Sequence, residues 1–257
     1  YCGCEVAAVR VLETCWEYGE PESIAADMLS GVQNALGVKK CFAGAWRLLT
    51  IWSRLEQPSR APPLPEGVAL AMSGVCLSIA RQDAALCILL GFYGLLRTAE
   101  VFGIRACHVS WNHDLSRAIL TLPRTKAGLR RGWTETVIFS DPTLLGFLHA
   151  IWKLRAPHEP LLEMPGQKFR LLWKWICSVL KLENLHFSPY SLRRGGATQM
   201  WTATADITRV MMYGRWDSVK TARIYVVDGQ QELTAMQLHP IAKQKCGQFA
   251  QMLKSCF

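Results

Sequence analysis

The chain lacks a long hydrophobic run. Its longest apolar stretch without a charged residue, residues 84–96, is thirteen residues long, whereas a helix that crosses a bilayer needs about 20. The sequence also opens without a basic leader followed by a short apolar segment. We therefore expect an intracellular protein with no membrane-spanning segment, and we interpret residues 84–96 as a buried helix.

Cysteine pairs with the spacing of a metal site are missing too, although the chain contains ten cysteines. Cys2 and Cys4 are too close together for a CxxC motif. No second ligand pair with suitable spacing accompanies Cys107, His108 and His113. Most cysteines fall in apolar helical patterns, which is typical of buried reduced thiols. The sequence therefore predicts no metal and no cofactor.

Acidic residues are outnumbered, with 20 Asp and Glu against 29 Lys and Arg and a net charge of +9. Residues 1–60 contain six basic and seven acidic residues, so the whole positive excess belongs to the remainder. Such an excess favours a polyanionic partner such as nucleic acid. A solvated basic surface with no such partner would show the same excess.

Four prolines within residues 58–65 predict a stiff linker between two domains. Residues 1–57 precede it and read as three amphipathic helices, with Pro21 opening one and Gly37 ending another. Because the chain begins at Tyr1 in mid-pattern, we expect this helical domain to be incomplete. Residues 66–257 form the second predicted domain.

The second domain opens with a helical pattern from Glu66 to Leu96. Residues 107–111, 117–122 and 134–139 read as three strands; a tight turn joins the first two and a basic loop the last two. Asp141 is a plausible N-cap where helices resume. These patterns predict a mainly α-helical fold with a small antiparallel β-sheet (α+β).

Five separated elements contain side chains suited to phosphate chemistry. In chain order they are Arg97 with Glu100 in LLRTAE, Lys126 in the turn RTK, Arg193 in YSLRRGGAT, Trp216 in GRW, and Tyr225 in TARIYV. Trp216 follows Arg193 by twenty-three positions, and Tyr225 follows Trp216 by nine. Each residue alone has an ordinary interpretation as a helix-end salt bridge, an exposed lysine, a core tryptophan or a core tyrosine. These interpretations are reasonable one at a time, but they do not explain why all five elements occur in one chain.

Cleavage of a phosphodiester passes through a five-coordinate phosphorane with extra negative charge on its equatorial oxygens. Guanidinium groups suit that state because they stay charged and donate in a planar fork. A phenol can attack in line, and a lysine can protonate the departing oxygen. The five elements supply candidates for each of these tasks.

The set closely resembles the tyrosine recombinase (phage integrase) family. This resemblance implies catalytic roles for Arg97, Lys126, Tyr190, Arg193, Trp216 and Tyr225, with Glu100 supporting Arg97. Lys126 would be the general acid and Tyr225 the nucleophile. We further expect DNA contacts from the basic residues beside the motifs, which are Arg124, Arg130, Arg131, Arg194 and Arg215.

Tyr190 departs from the family pattern, which has histidine at that position. With an ordinary pKa of about 10, a tyrosine is a poor general base at neutral pH. His186 lies four residues earlier and is a weak substitute candidate.

The resemblance also implies an activity and an assembly. Family members close two domains around duplex DNA, residues 1–57 corresponding to the helical core-binding (SAM-like) domain and 66–257 to the catalytic domain. They cut and rejoin DNA through a 3′-phosphotyrosyl link without metal or ATP, usually as a homotetramer, in DNA recombination and integration by mobile elements. The helix near residues 230–238 would dock on a neighbouring subunit or pack on its own domain.

Three alternatives remain. A type IB topoisomerase has a similar residue set but relaxes supercoils as a monomer. A domesticated DNA-binding module without activity would agree with Tyr190 in place of histidine. A helical interaction protein agrees with the composition but leaves the order of the motifs unexplained.

Overall fold

The computed structural model describes residues 2–37, 42–55, 60–122, 132 and 134–255. The chain divides into two compact units, residues 1–60 and 61–257. Each unit buries hydrophobic clusters of its own.

Three α-helices form the described part of the first unit: α1 (Cys2–Glu17), α2 (Glu22–Ala35) and α3 (Ala43–Leu55). Leu12, Leu29 and Trp52 bury their side chains in a common core. Pro21 precedes α2 in an extended conformation, and Gly37 follows it with φ 63°. The prediction of three amphipathic helices is confirmed.

Two largely buried helices, α4 (Glu66–Ser78) and α5 (Gln82–Tyr93), lie in the core of the second unit. Residues 84–92 of α5 are all buried. This agrees with the apolar character of the helix on every side. The helical pattern from Glu66 to Leu96 conceals a break at residues 79–81. Ala80 has φ 56° there, and Arg81 donates to the Asp83 carboxylate at 2.8 Å as the next helix starts. Neither proline nor glycine marks this break.

The sheet consists of β1 (Val109–Trp111), β2 (Ala118–Leu122) and β3 (Glu135–Phe139), antiparallel and in that order. Val109 pairs with Leu120, which pairs with Val137. Alternate residues of β2 and β3 are buried, so one face of the sheet lies on the core. All three predicted strands are confirmed, although residues 106–108 form a 3-10 turn rather than the start of β1.

The other described helices of this unit are α6 (Thr98–Phe102), α7 (Pro142–Trp152), α8 (Gly166–Val179), α9 (Tyr190–Thr204), α10 (Ile207–Tyr213), α11 (Val219–Tyr225), α12 (Asp228–Met236) and α13 (Pro240–Lys254). Asp141 caps α7 as predicted, accepting from the Leu144 amide at 2.8 Å. The predicted fold class is confirmed. Within the described ranges, no helix is both long and apolar enough to cross a membrane.

Helix α9 packs very closely against its neighbours because it contains two glycines, which have no Cβ to keep the neighbouring backbone away. A Cβ at Gly195 would lie 2.0 Å from the Leu64 carbonyl oxygen, and one at Gly196 would lie 2.0 Å from the Phe92 carbonyl oxygen. The Leu64 amide also donates to the Ser191 carbonyl at 3.1 Å. These contacts fix the first half of α9, which contains Arg193, within the core.

Candidate active site

Three aromatic side chains meet between α9 and α11. Tyr225 ends α11, and its ring stacks on Trp216 with centroids 4.3 Å apart and an angle of 28° between planes. The Tyr225 hydroxyl oxygen lies 2.5 Å from that of Tyr190, which begins α9 and is 44% exposed. The fold therefore joins two tyrosines that are 35 positions apart.

Arg193 packs against the same rings. Its Cζ lies 5.0 Å from the Trp216 ring centroid and 5.5 Å from that of Tyr225. The residue is 1% exposed, and its Nη1 and Nη2 donate to the carbonyl oxygens of Leu95 (2.5 Å) and Gly214 (2.6 Å). The guanidinium is therefore anchored by main-chain oxygens from two separate loops.

Unusual backbone conformations occur beside both anchors. Leu95 has φ 47° and Arg215 has φ 59°, in the left-handed region. A side chain with a Cβ costs about 1–2 kcal/mol there, so the surrounding contacts must stabilise these turns. Conformations of this kind concentrate at functional sites.

Two buried donors in this group lack partners. Among the described residues, nothing accepts a hydrogen bond from Arg193 Nε or Trp216 Nε1. An unsatisfied buried donor costs about 1–3 kcal/mol. Both donors lie on side chains that pack against the Tyr225 ring.

Glu100 joins the arginines of the site through one carboxylate. Its oxygens lie 2.6 Å from Arg97 Nη1, 2.9 Å from Arg215 Nη2 and 3.7 Å from Arg193 Nη1. The Arg97 amide also donates to it at 2.8 Å, in a capping box at the start of α6. The Arg97 side chain is 37% exposed, so it is the arginine of this set that reaches solvent.

Burial and the neighbouring charges together set the protonation of this cluster. Burial would raise the pKa of Glu100, but Arg215, the Arg97 amide and the remaining guanidinium charges lower it below its usual range. Burial, together with Arg215 and Arg97, lowers the pKa of Arg193 to about 10. At neutral pH the cluster therefore consists of a carboxylate and charged guanidinium groups.

Arg215 is a buried member of the cluster and is 8% exposed. Besides Glu100, its guanidinium donates to the carbonyl oxygens of Leu95 (3.2 Å) and Gly94 (3.3 Å). Its Nε lies 3.5 Å from Glu135 Oε2 on β3. Sequence reasoning missed Glu135, although a charged residue in register with the buried positions of β3 was a usable signal.

Arg194 is also buried, and it contacts the main chain. Its Nη1 donates to the Ala61 carbonyl, and its Nη2 lies 3.4 Å from the Ile224 carbonyl oxygen. The Thr198 hydroxyl, one turn further along α9, donates to the Tyr225 carbonyl at 3.2 Å and accepts from the Val227 amide at 3.2 Å. These bonds fix the end of α11. DNA contact by Arg194 or Arg215 would require each guanidinium to leave these partners.

The remaining predicted site residues lie outside the described residues: Lys126, Arg124, Arg130 and Arg131. His186 is described; it is exposed, with φ 50°, after a 3-10 turn. Within the described chain, no three His, Cys, Asp or Glu residues are arranged to hold a metal ion.

The fold is that of the tyrosine recombinases and integrases. The XerH site-specific recombinase bound to difH superposes with a TM-score of 0.52 and 14% identity, over 84% of this chain and 70% of that chain. XerA recombinase gives 0.50 and 15%, over 88% and 79%. The Tn1549 transposon integrase with circular intermediate DNA gives 0.52 and 11%, over 89% and 83%.

By sequence, no protein-family model matches the chain. A comparison with curated proteins likewise finds no match. At the identities of the superposed structures, the likeness establishes the fold, while the chemistry is argued from the side chains.

Proposed function

We propose that this chain is a tyrosine recombinase, an enzyme that cuts and rejoins duplex DNA through a phosphotyrosyl link. The observation that supports it best is that the Tyr225 ring packs against Arg193 and Trp216, whose buried Nε and Nε1 donors have no acceptor among the described residues. A scissile phosphate at this position would accept from both. The Arg97 side chain, partly exposed and oriented by Glu100, would bind the same phosphate from solvent.

Each step of the proposed reaction forms one bond to phosphorus and breaks another. Tyr225 Oη forms a bond to phosphorus while the bond from phosphorus to the 5′ oxygen breaks, and that oxygen leaves with a proton from a general acid. The family resemblance assigns this proton to Lys126. A 5′-hydroxyl then attacks the phosphotyrosine and releases Tyr225. Fixed guanidinium groups supply the charge stabilisation, so we expect cleavage without added divalent metal or ATP.

The assembly follows the same proposal. Residues 66–257 would be the catalytic domain and residues 1–57 the core-binding domain, together holding double-stranded DNA, and four copies would exchange two duplexes. The exposed side chains Leu233 and Met236 of α12, 59% and 71% exposed, agree with a helix that docks on a neighbouring copy.

A nicked duplex library that traps the covalent intermediate tests this function. Incubated without metal or ATP, the wild-type chain is expected to give a protein–DNA band on a denaturing gel, and Tyr225→Phe is expected to give none. Tyr18→Phe is the matched control, since Tyr18 is 80% exposed and lies in the first unit. An undiminished band from Tyr225→Phe would refute Tyr225 as the nucleophile.

A second candidate is a DNA-binding module without activity. It is favoured by the bonding of Arg193, because both Nη groups already donate to main-chain oxygens. DNA binding that weakens steeply with salt, with no covalent band from any variant, would favour it. A band accompanied by plasmid relaxation, without strand exchange, would instead favour a topoisomerase.

A further inference from the structure

The hydroxyl groups of Tyr190 and Tyr225 are joined by a hydrogen bond. Their oxygens lie 2.5 Å apart, and the rings are tilted by 49° with centroids 5.7 Å apart. In a pair of phenols, one oxygen donates and the other accepts. When one phenol loses its proton, the other must be the donor, so the order of ionisation decides the role of each.

We propose that the Tyr190 hydroxyl is the hydrogen-bond donor that holds Tyr225 Oη in place and stabilises its phenolate for attack. This inference rests on the proposed function, because it assigns a task to Tyr190 in the same reaction. In this role Tyr190 donates a hydrogen bond to Tyr225, whereas a general base would take up its proton.

The surroundings of the pair decide which phenol ionises first. The Arg193 guanidinium is fully buried and lies 5.5 Å from the Tyr225 ring centroid. Burial raises the pKa of Tyr190 well above its ordinary value, and the bond to Tyr225 and the charge on Tyr225 raise it further. Tyr190 is therefore the phenol of the pair that keeps its proton, which agrees with its hydroxyl donating to the Tyr225 oxygen.

The other groups that face the pair agree with this order. Arg193 and Arg194, on the same helix as Tyr190, lower the pKa of Tyr190, but burial and the bond to Tyr225 outweigh both charges. Tyr213 belongs to the same apolar cluster as Tyr225, but burial raises the pKa of Tyr213 to about 12 and its hydroxyl donates to the Ile138 carbonyl at 2.9 Å. Trp216, stacked on Tyr225, does not titrate.

The proton balance needs no base in the protein. Tyr225 releases its proton to solvent water at the half-exposed edge of the pair, and Tyr190 donates its own O–H to the resulting oxyanion. That oxyanion forms the bond to phosphorus, and the Tyr190 proton stays on Tyr190 throughout. No imidazole takes part, so the cleavage rate is expected to rise with pH without an inflection near pH 6.5.

Titration of the DNA-free protein tests the pair directly. With tyrosine labelled at ring Cζ, NMR reports each phenol, and Tyr225→Phe assigns the signal of Tyr225. The expected result is that Tyr225 titrates before Tyr190, and that Tyr190→Phe moves the Tyr225 midpoint upward by about one to two pH units, the effect of one hydrogen bond to a charged group. An unmoved midpoint, or ionisation of Tyr190 first, would overturn the proposal.

The cleavage assay gives a second and separable readout. Tyr190→Phe is expected to cut about 10- to 100-fold more slowly at pH 7, with the deficit shrinking as the pH rises and Tyr225 becomes fully ionised. A purely structural defect would reduce the rate by the same factor at every pH. Tyr190→His is expected to restore part of the rate and to introduce an inflection near about pH 6.5.

The outcomes distinguish the two proposals. A wild-type chain that never cleaves DNA would refute the proposed function, while the titration would still decide which phenol donates. A phosphotyrosyl link found on Tyr190 in Tyr225→Phe would overturn the donor role, since Tyr190 would then itself be a nucleophile. Because Tyr190 is 44% exposed, the phenylalanine variant is expected to fold, and circular dichroism checks this.

Discussion

At the scale of single residues, Glu100 determines whether the cationic cluster is stable. It is 8% exposed and lies within 4 Å of Arg97, Arg193 and Arg215. If Glu100 lost its charge, Arg193 and Arg215 would stay buried and charged. Glu135 would then be the remaining carboxylate beside them in the described cluster. Removing one partner from a buried ion pair is usually far more harmful than never forming the pair.

We expect Glu100→Gln to lower the free energy of unfolding by about 3–5 kcal/mol, measured by urea denaturation at pH 7. Glu163→Gln is the matched control, because its pair with Arg155 is at the surface, with the Glu163 side chain 65% exposed. That variant is expected to lose less than about 1 kcal/mol. Equal, small losses in both variants would contradict the role given to Glu100.

The stabilisation by Glu100 should also depend on pH. Its folded pKa is lowered, so the contribution is fully present above the unfolded pKa of about 4.3 and is lost as the pH falls through the lower folded value. The stability difference between wild type and Glu100→Gln is therefore expected to shrink below about pH 4. Urea titrations at a series of acidic pH values measure it; a constant difference would mean that Glu100 does not titrate in this range.

At the scale of elements, the close approach of α9 to α5 determines where Arg193 lies. In Gly196→Ala the new Cβ would lie 2.0 Å from the Phe92 carbonyl oxygen, so α9 must shift. We expect a loss of about 1–3 kcal/mol or more in unfolding free energy, together with loss of cleavage, since the anchors of Arg193 move too. Thermal unfolding and the covalent-band assay measure the two effects.

Gly247→Ala is the corresponding control. Gly247 is an exposed position in α13 with no atom within 4 Å of an added Cβ. Alanine there is expected to stabilise the protein by about 0.5–1 kcal/mol through helix propensity and to leave cleavage unchanged. Destabilisation of both variants to the same extent would show that steric contact is not the cause at Gly196.

Local patterns predicted the elements, because apolar periodicity, proline and capping residues act within a few positions. They placed the three strands and the cap at Asp141 correctly. They did not reveal the break at Ala80, because neither proline nor glycine marks it in the sequence. The order of the motifs identified the residues that meet at Tyr225, but neither the Tyr190–Tyr225 bond nor the pairing of Glu135 with Arg215 is encoded locally.

At the scale of the whole molecule, charge and candidate chemistry coincide in one unit. Residues 1–60 contain six basic and seven acidic residues, so residues 61–257 carry all of the net charge of +9. Every described residue of the candidate site also lies in the second unit. If DNA is the partner, most of the phosphate neutralisation should therefore come from residues 61–257.

We expect residues 61–257, produced alone, to fold and to bind duplex DNA more weakly than the full chain but with nearly the same salt dependence. The slope of log K against log salt counts neutralised phosphates, and fluorescence anisotropy at several salt concentrations measures it. A slope near zero for the fragment, with a steep one for the full chain, would instead assign the phosphate contacts to residues 1–60.

The anchors of Arg193 are main-chain oxygens, those of Leu95 and Gly214. Every amino acid has that oxygen, so no single exchange at either position can delete the acceptor; only a changed path of the chain can. A lineage can therefore replace nearly all of its neighbouring side chains and still inherit the guanidinium in the same place.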